Sequence, residues 1–193
     1  MKGNLIIISG PSGVGKSTIR KRIIKDFDNF KYSVSLTTRK PRIDEETNAE
    51  EENGKEYYFV TPEIFKENIK NNNFLEYQEV YKDTFYGTLK KDVMNLIDNG
   101  INVILEIDVD GALNIKKEYN DTTLIFIKPS SLEELENRLR NRNSDSSKKI
   151  EERLEKAKYE INKSKYYDYV ITSTNKEEDY KKIKNIIKKI LTK

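Results

Sequence analysis

The chain has no cysteine and no histidine among its 193 residues. The first absence excludes disulfides and thiolate metal sites. The second removes the commonest general base and zinc ligand, so any catalysis has to run on carboxylates, lysine, arginine, hydroxyls and a recruited metal. Charge of one sign is also scarce: 36 Lys and Arg stand against 33 Asp and Glu, a formal +3 with the two signs interleaved. Such a mixed field gives little ground for a nucleic-acid partner. No apolar run approaches the ~18 residues of a membrane span, and the N-terminus enters a strand pattern without signal-peptide features. The expectation is a soluble, cytoplasmic protein with no membrane partner. The length allows one well-cored domain with small inserted lobes, and is too short for two independent enzymes.

What the chain does have is the stretch Leu5 to Thr18, LIIISGPSGVGKST. Leu5 to Ile8 form the short continuous apolar run of a buried parallel strand, and Ile19, Ile23 and Ile24 continue as one face of a helix. Between them lies Gly-x4-Gly-Lys-Ser, the phosphate-binding loop. Glycines let Gly10, Pro11, Ser12, Gly13, Val14 and Gly15 curl their backbone round a β-phosphate, and the following helix aims its positive end at the same anion. Lys16 can reach the β- and γ-phosphates, the Ser17 hydroxyl can enter the shell of Mg²⁺, and Thr18 completes a set that binds a nucleoside triphosphate. An ordinary glycine turn carrying a chance lysine explains the stretch less well, because strand, loop and helix all fall where the mechanism needs them.

Downstream, Tyr32 to Leu36 reads as a short strand running into Arg39 and Arg42, three apart around Pro41 on extended backbone. Two guanidinium forks so spaced suit a phosphate, though two surface arginines would account for them equally well. Asp44 to Glu52 is acidic, without apolar periodicity, and is expected to be an exposed loop. Tyr57 to Val60 is strand-like; Thr61-Pro62-Glu63 starts a helix. Phe74 to Tyr81 alternates as a strand, and Phe85-Tyr86-Gly87-Thr88 is read as an aromatic turn. A helix over Leu89 to Asp98 ends at Asn99-Gly100.

Asn102 to Ile107 is a second buried strand. Glu106 and Asp108, two apart at its C-terminal end, project on one side, where one or both could hold Mg²⁺ or its waters. Thr123 to Ile127 is a third strand, followed by a helix start with capping-box spacing at Ser130 or Ser131. Arg138 and Arg142 edge that helix, and Arg153 edges the next, whose buried stripe is Ile150, Leu154, Ala157 and Ile161. Two such helices joined at a polar tip would make a lid over a triphosphate, although arginines on amphipathic helices are usually just solvated. Tyr169 to Thr172 gives a last strand and Ile183 to Ile190 a terminal amphipathic helix.

In order and spacing, GPSGVGKST (10–18), SVSLTTRKPR (33–42), NGKEYYFV (53–60), FLEY (74–77), FYGT (85–88), ILEIDVDGA (104–112) and the pair RLRNR and ERLEKA (138–157) resemble the guanylate kinases over nearly the whole chain. The resemblance implies an α/β fold: a P-loop NTPase core with a five-stranded parallel sheet and flanking helices (1–36, 91–135 and 155–193), an inserted GMP-binding lobe (37–90) and a helical lid (136–154). By motif, Ser35, Glu76, Thr88 and Asp108 would surround guanine. Arg39, Arg42, Tyr57 and Tyr86, with Gly87 beside them, would hold the GMP phosphate. Arg138, Arg142 and Arg153 would gather with Lys16 on the transferred group. The substrates implied are ATP and GMP, with dGMP a further acceptor, and the cofactor is Mg²⁺.

The chemistry is consistent with that. Guanine presents N1–H and its amino group side by side, two donors that one carboxylate accepts together, whereas adenine offers an acceptor at N1. The attacking GMP phosphate is already largely ionised, its second pKa being about 6, so no general base is required. Against the family pattern, the segment between Arg42 and Tyr57 is long, Asn143 replaces a glycine, Asp110 a glutamine, and Thr172 an asparagine. Two other readings fit parts of the pattern: a catalytically inactive guanylate-kinase-like module that binds phosphopeptides, and a related P-loop kinase with a different acceptor.

Overall fold

The computed structural model describes residues 1–43, 49–55, 57–81, 83–140 and 147–192. In chain order its elements are β1 (Leu5–Ser9), α1 (Lys16–Asp26), β2 (Phe30–Lys31), β3 (Leu36–Thr37), β4 (Tyr58–Phe59), α2 (Pro62–Lys70), β5 (Phe74–Tyr81), β6 (Thr84–Leu89) and α3 (Lys90–Asp98). They continue with β7 (Asn102–Glu106), α4 (Val109–Glu118), β8 (Thr123–Lys128), α5 (Leu132–Arg140), α6 (Ser147–Lys163), a 3-10 turn at Ser164–Tyr166, β9 (Tyr169–Thr172) and α7 (Lys176–Leu191). The chain divides into two compact units, one of residues 1–3 and 32–103, the other of residues 4–31 and 104–193.

A five-stranded parallel sheet in the order β2-β7-β1-β8-β9 falls in the second unit except for Asn102 and Val103 of β7. All five residues of β1 are buried, as the unbroken apolar run requires of a strand covered on both faces. β1 pairs in parallel with β8 from Ile6 opposite Thr123 to Ser9 opposite Phe126, and β8 with β9 from Ile125 opposite Tyr169 to Lys128 opposite Thr172. Ile6 and Ile8 share one core with Ile19 and Ile23 of α1 and Ile183 and Ile187 of α7. Leu135 and Leu139 of α5 pack on Ile150 and Ala157 of α6 as a smaller satellite. α4 is an element the sequence reading omitted. Asp108 caps it by accepting from the Gly111 N–H at 2.9 Å, and Val109, Ala112 and Ile115 supply its buried face.

The first unit carries a four-stranded sheet in the order β4-β3-β6-β5. β3 is parallel to β4 and antiparallel to β6, and β5 and β6 form an antiparallel pair. Its core is Leu36, Phe65 and Phe74, with the Phe65 and Phe74 rings stacked at 4.4 Å between centroids. Two expectations need correcting. Phe85 to Thr88 is not a turn but the middle of β6; the reversal falls at Asp83, whose φ is +60°. Gly87 is needed for space, since a Cβ there would lie 2.7 Å from the Phe74 ring. The strand expected over 32–36 is displaced, with ladder formed only at Phe30–Lys31 and Leu36–Thr37.

Candidate active site

The loop between β1 and α1 has the backbone its sequence demands. Gly10, Gly13 and Gly15 all take positive φ, and Gly15, at +109°, is the N-cap of α1 without any side-chain cap and with no acidic residue in the first turn. The positive end of this helix, with no side-chain cap and no carboxylate in its first turn, suits an anion. Pro11 and Val14 are buried supports, while Ser12, Ser17 and Thr18 are exposed. The Lys16 ammonium folds back onto the loop, donating to the Gly10 carbonyl at 2.5 Å and the Pro11 carbonyl at 3.1 Å. Glu106, at the end of β7, accepts from the Ser17 hydroxyl at 2.8 Å and from Arg20 Nε at 2.5 Å.

Two hollows adjoin this loop, both within the second unit. One, of about 490 Å³, is lined by Gly13, Gly15, Thr18, Arg138, Thr174, Asn175 and Lys176. Asp179 fixes its far wall, being buried and accepting from the Ser173 hydroxyl and the Thr174 N–H. Thr172 is exposed and does not line it. The other, of about 270 Å³, is lined by Ser12, Lys16, Glu106, Asp108, Arg153, Lys156 and Glu160. Arg153 Nη1 donates to Ser12 Oγ at 2.7 Å, which puts a guanidinium on the phosphate loop itself. Arg138 pairs along its own helix with Glu134. Arg142 lies outside the described residues. Glu160, only 6% exposed, has its carboxyl pushed above the ordinary range by burial, with Lys16 and Lys156 acting the other way.

The other predicted residues, Asp108 apart, lie in the first unit. Glu76 of β5 stands in register with Thr88 of β6, whose hydroxyl lies 2.9 Å from Glu76 Oε1; Ser35 Oγ is 3.2 Å from the same hydroxyl. This makes a continuous chain of two hydroxyls and a carboxylate. Arg39 Nε donates to the Tyr86 hydroxyl at 3.2 Å, and its guanidinium stands 5.4 Å over the Tyr57 ring, which meets Tyr86 edge-on at 5.6 Å. Burial, above all, raises the Tyr57 phenol above its usual value. Arg42 is exposed. Asp108 belongs to the second unit, as the cap of α4 with Lys156 at 4.0 Å.

One residue of this set was missed. Glu51, placed by sequence in a featureless acidic loop, forms a two-point ion pair with Arg39 at 2.7 and 2.9 Å, with a side chain 23% exposed. Glu50, Glu51 and Glu52 are indistinguishable by composition, so only the pairing singles out the middle one.

A parallel sheet, a glycine-rich loop in positive φ and a lysine-led helix without a side-chain cap define a P-loop nucleotide-binding protein of the α/β class. The model of the family described as guanylate kinase matches residues 2–190. The guanylate kinase of Porphyromonas gingivalis is 48% identical over 85% of this chain and 85% of its own length, and that of Bacteroides thetaiotaomicron 44% identical over 100% and 92%. The crystal structure of guanylate kinase from Anaplasma phagocytophilum superposes with a TM-score of 0.74 at 33% identity, covering 97% of this chain and 85% of that one. The chain belongs to the guanylate kinase family.

Proposed function

We propose that the protein transfers the γ-phosphoryl group of ATP to GMP, yielding ADP and GDP, accepts dGMP as well, and serves purine nucleotide metabolism in the cytoplasm. The observation that carries this reading is the Glu76–Thr88–Ser35 chain in a protein with a complete P-loop. The Glu76 carboxylate is the acceptor that guanine's paired donors require, and a hydroxyl at Ser35 or Thr88 can serve the O6 and N7 side. Arg39, Arg42, Tyr57 and Tyr86 receive the GMP phosphate, with Gly87 keeping β6 packed on Phe65 and Phe74.

On the donor side, the N–H groups from Gly13 to Thr18 cradle the phosphates and the larger cleft takes the base beside Arg138. Lys16 moves from its two loop carbonyls to the β- and γ-phosphates. Arg153, with Arg138 and Arg142, stabilises charge on the moving group, and residues 136–154 act as the lid that excludes water. Lobe (37–90) and core take the boundaries the resemblance implies. Asp108 serves the acceptor base or the ion's water shell.

The oxygens beside the loop fit Mg²⁺: the Ser17 hydroxyl and the Glu106 carboxylate lie 2.8 Å apart, hard donors suited to an ion that keeps most of its waters. Ser17 would hold it directly, with Glu106 and Asp108 acting through water; bound there, it would neutralise charge on the donor phosphates. Chromatography of ATP and GMP incubated with the protein, with and without Mg²⁺, tests the proposal. Equimolar GDP and ADP only with the ion is the expected result. GMP binding without GDP would favour the inactive module, and GDP formation without a divalent ion would remove the metal from the scheme.

A further inference from the structure

Arginine has five N–H donors on a planar fork. Four of those of Arg39 are engaged among the described residues: Nε with the Tyr86 hydroxyl at 3.2 Å, Nη1 with Glu51 Oε2 and the Lys40 carbonyl, both at 2.7 Å, and Nη2 with Glu51 Oε1 at 2.9 Å. The carboxylate thus occupies the Nη1/Nη2 edge. The remaining N–H is on Nη2 and faces the Nε side, where the Tyr86 hydroxyl sits.

Glu51 is itself held by backbone. The Arg42 N–H donates to Glu51 Oε2 at 2.8 Å, the Glu51 N–H donates to the Arg42 carbonyl at 2.9 Å, and Ile43 bridges Glu50 in antiparallel fashion. The Arg39 guanidinium, more than any other group, keeps the Glu51 carboxyl below its ordinary range, so the pair is ionic at neutral pH.

We propose that Glu51 is a positioning residue for the acceptor phosphate: by taking the Nη1/Nη2 edge of Arg39 it fixes the guanidinium so that the remaining Nη2 N–H and the Tyr86 hydroxyl, which Nε holds in place, form the seat for that phosphate. The inference rests on GMP being the acceptor. A free arginine side chain presents either edge and loses rotamer freedom when it settles; a fork already clamped loses less on binding. A carboxylate here also tempers the local positive charge. That suits a site whose ligand must react and leave, since tighter ground-state binding would not speed transfer.

The test uses the whole chain, with Glu51→Ala and Glu51→Gln. Calorimetry with GMP and with guanosine, which lacks the phosphate, is combined with steady-state kinetics and with the Arg39 Nε–Hε NMR signal, identified by its loss in Arg39→Lys. Glu51→Ala should weaken GMP and raise its KM by about tenfold, leave guanosine affinity and the KM for ATP unchanged, and shift the Arg39 signal into the bulk arginine envelope. Glu51→Gln, which keeps one acceptor oxygen, should recover part of the loss. Tighter GMP binding in Glu51→Ala would mean the carboxylate sits in the phosphate's own place. Equal losses for GMP and guanosine would mean a merely structural role. An unmoved Arg39 signal would mean no clamp. Each overturns the proposal. The wild-type arms keep the premise separate: if guanosine and GMP fail to bind there while the Arg39 signal still responds to Glu51→Ala, the acceptor assignment fails and the clamp stands.

Discussion

In the proposed scheme acceptor choice turns on Glu76. A buried acceptor left facing another acceptor costs several times what a mismatched methylene does, so a carboxylate discriminates guanine from adenine strongly. Glu76→Gln offers one acceptor and one donor instead. Its kcat/KM for GMP should fall about a hundredfold while AMP improves relative to GMP, as a coupled assay with both acceptors would show; an unchanged ratio would remove Glu76 from recognition. Glu160 tests the electrostatics on the donor side. Its folded pKa is raised above 4.5, so its contribution to stability is fullest below pH 4.5 and is lost as the pH rises through the folded value. Glu160→Gln should therefore raise the urea midpoint at pH 7 and leave it nearly unchanged near pH 4. A gain that persists in acid would mean that burial of charge is not the cause.

Among the elements, the β5–β6 pair carries both halves of the proposed acceptor site, and its close packing depends on a missing side chain. Gly87→Ala would put a Cβ 2.7 Å from the Phe74 ring and 3.0 Å from that of Phe65, which are stacked and buried. A loss of about 1–3 kcal/mol in denaturant unfolding is expected, and no loss would show the sheet can open. This strand also marks the limit of legibility. β5 could be read in full because Phe74 to Tyr81 alternates, and β1 because Leu5 to Ile8 do not. Residues 85–88 of β6 read as a turn because Tyr-Gly-Thr is turn chemistry locally, and only the stack of Phe65 of α2 on Phe74 of β5 explains the glycine. α4 is hard to see in sequence although Asp108, Val109, Ala112 and Ile115 spell a cap and a face, because Asp108 also ends the apolar run of β7 as a strand-end carboxylate would. The Arg39–Glu51 pair spans twelve positions, with nothing periodic to mark it.

At the scale of the whole molecule, the phosphate loop and the Glu76–Thr88–Ser35 chain belong to different compact units. Lys16→Ala should lower kcat about a hundredfold or more, while GMP affinity by calorimetry stays as in the wild type. Lost GMP affinity with an intact circular dichroism spectrum would contradict independent sites. No helix among the described residues is long and apolar enough to cross a membrane. The want of histidine is no handicap to such an enzyme, because its nucleophile arrives ionised and needs only cations, alignment and dryness. The most direct measurement is ADP release by the unaltered protein with ATP, Mg²⁺ and, in turn, GMP, dGMP, AMP, CMP and UMP. The account predicts rapid release with GMP, release with dGMP and next to none with the other three; AMP turned over as fast as GMP, or no release with any of the five, would contradict it.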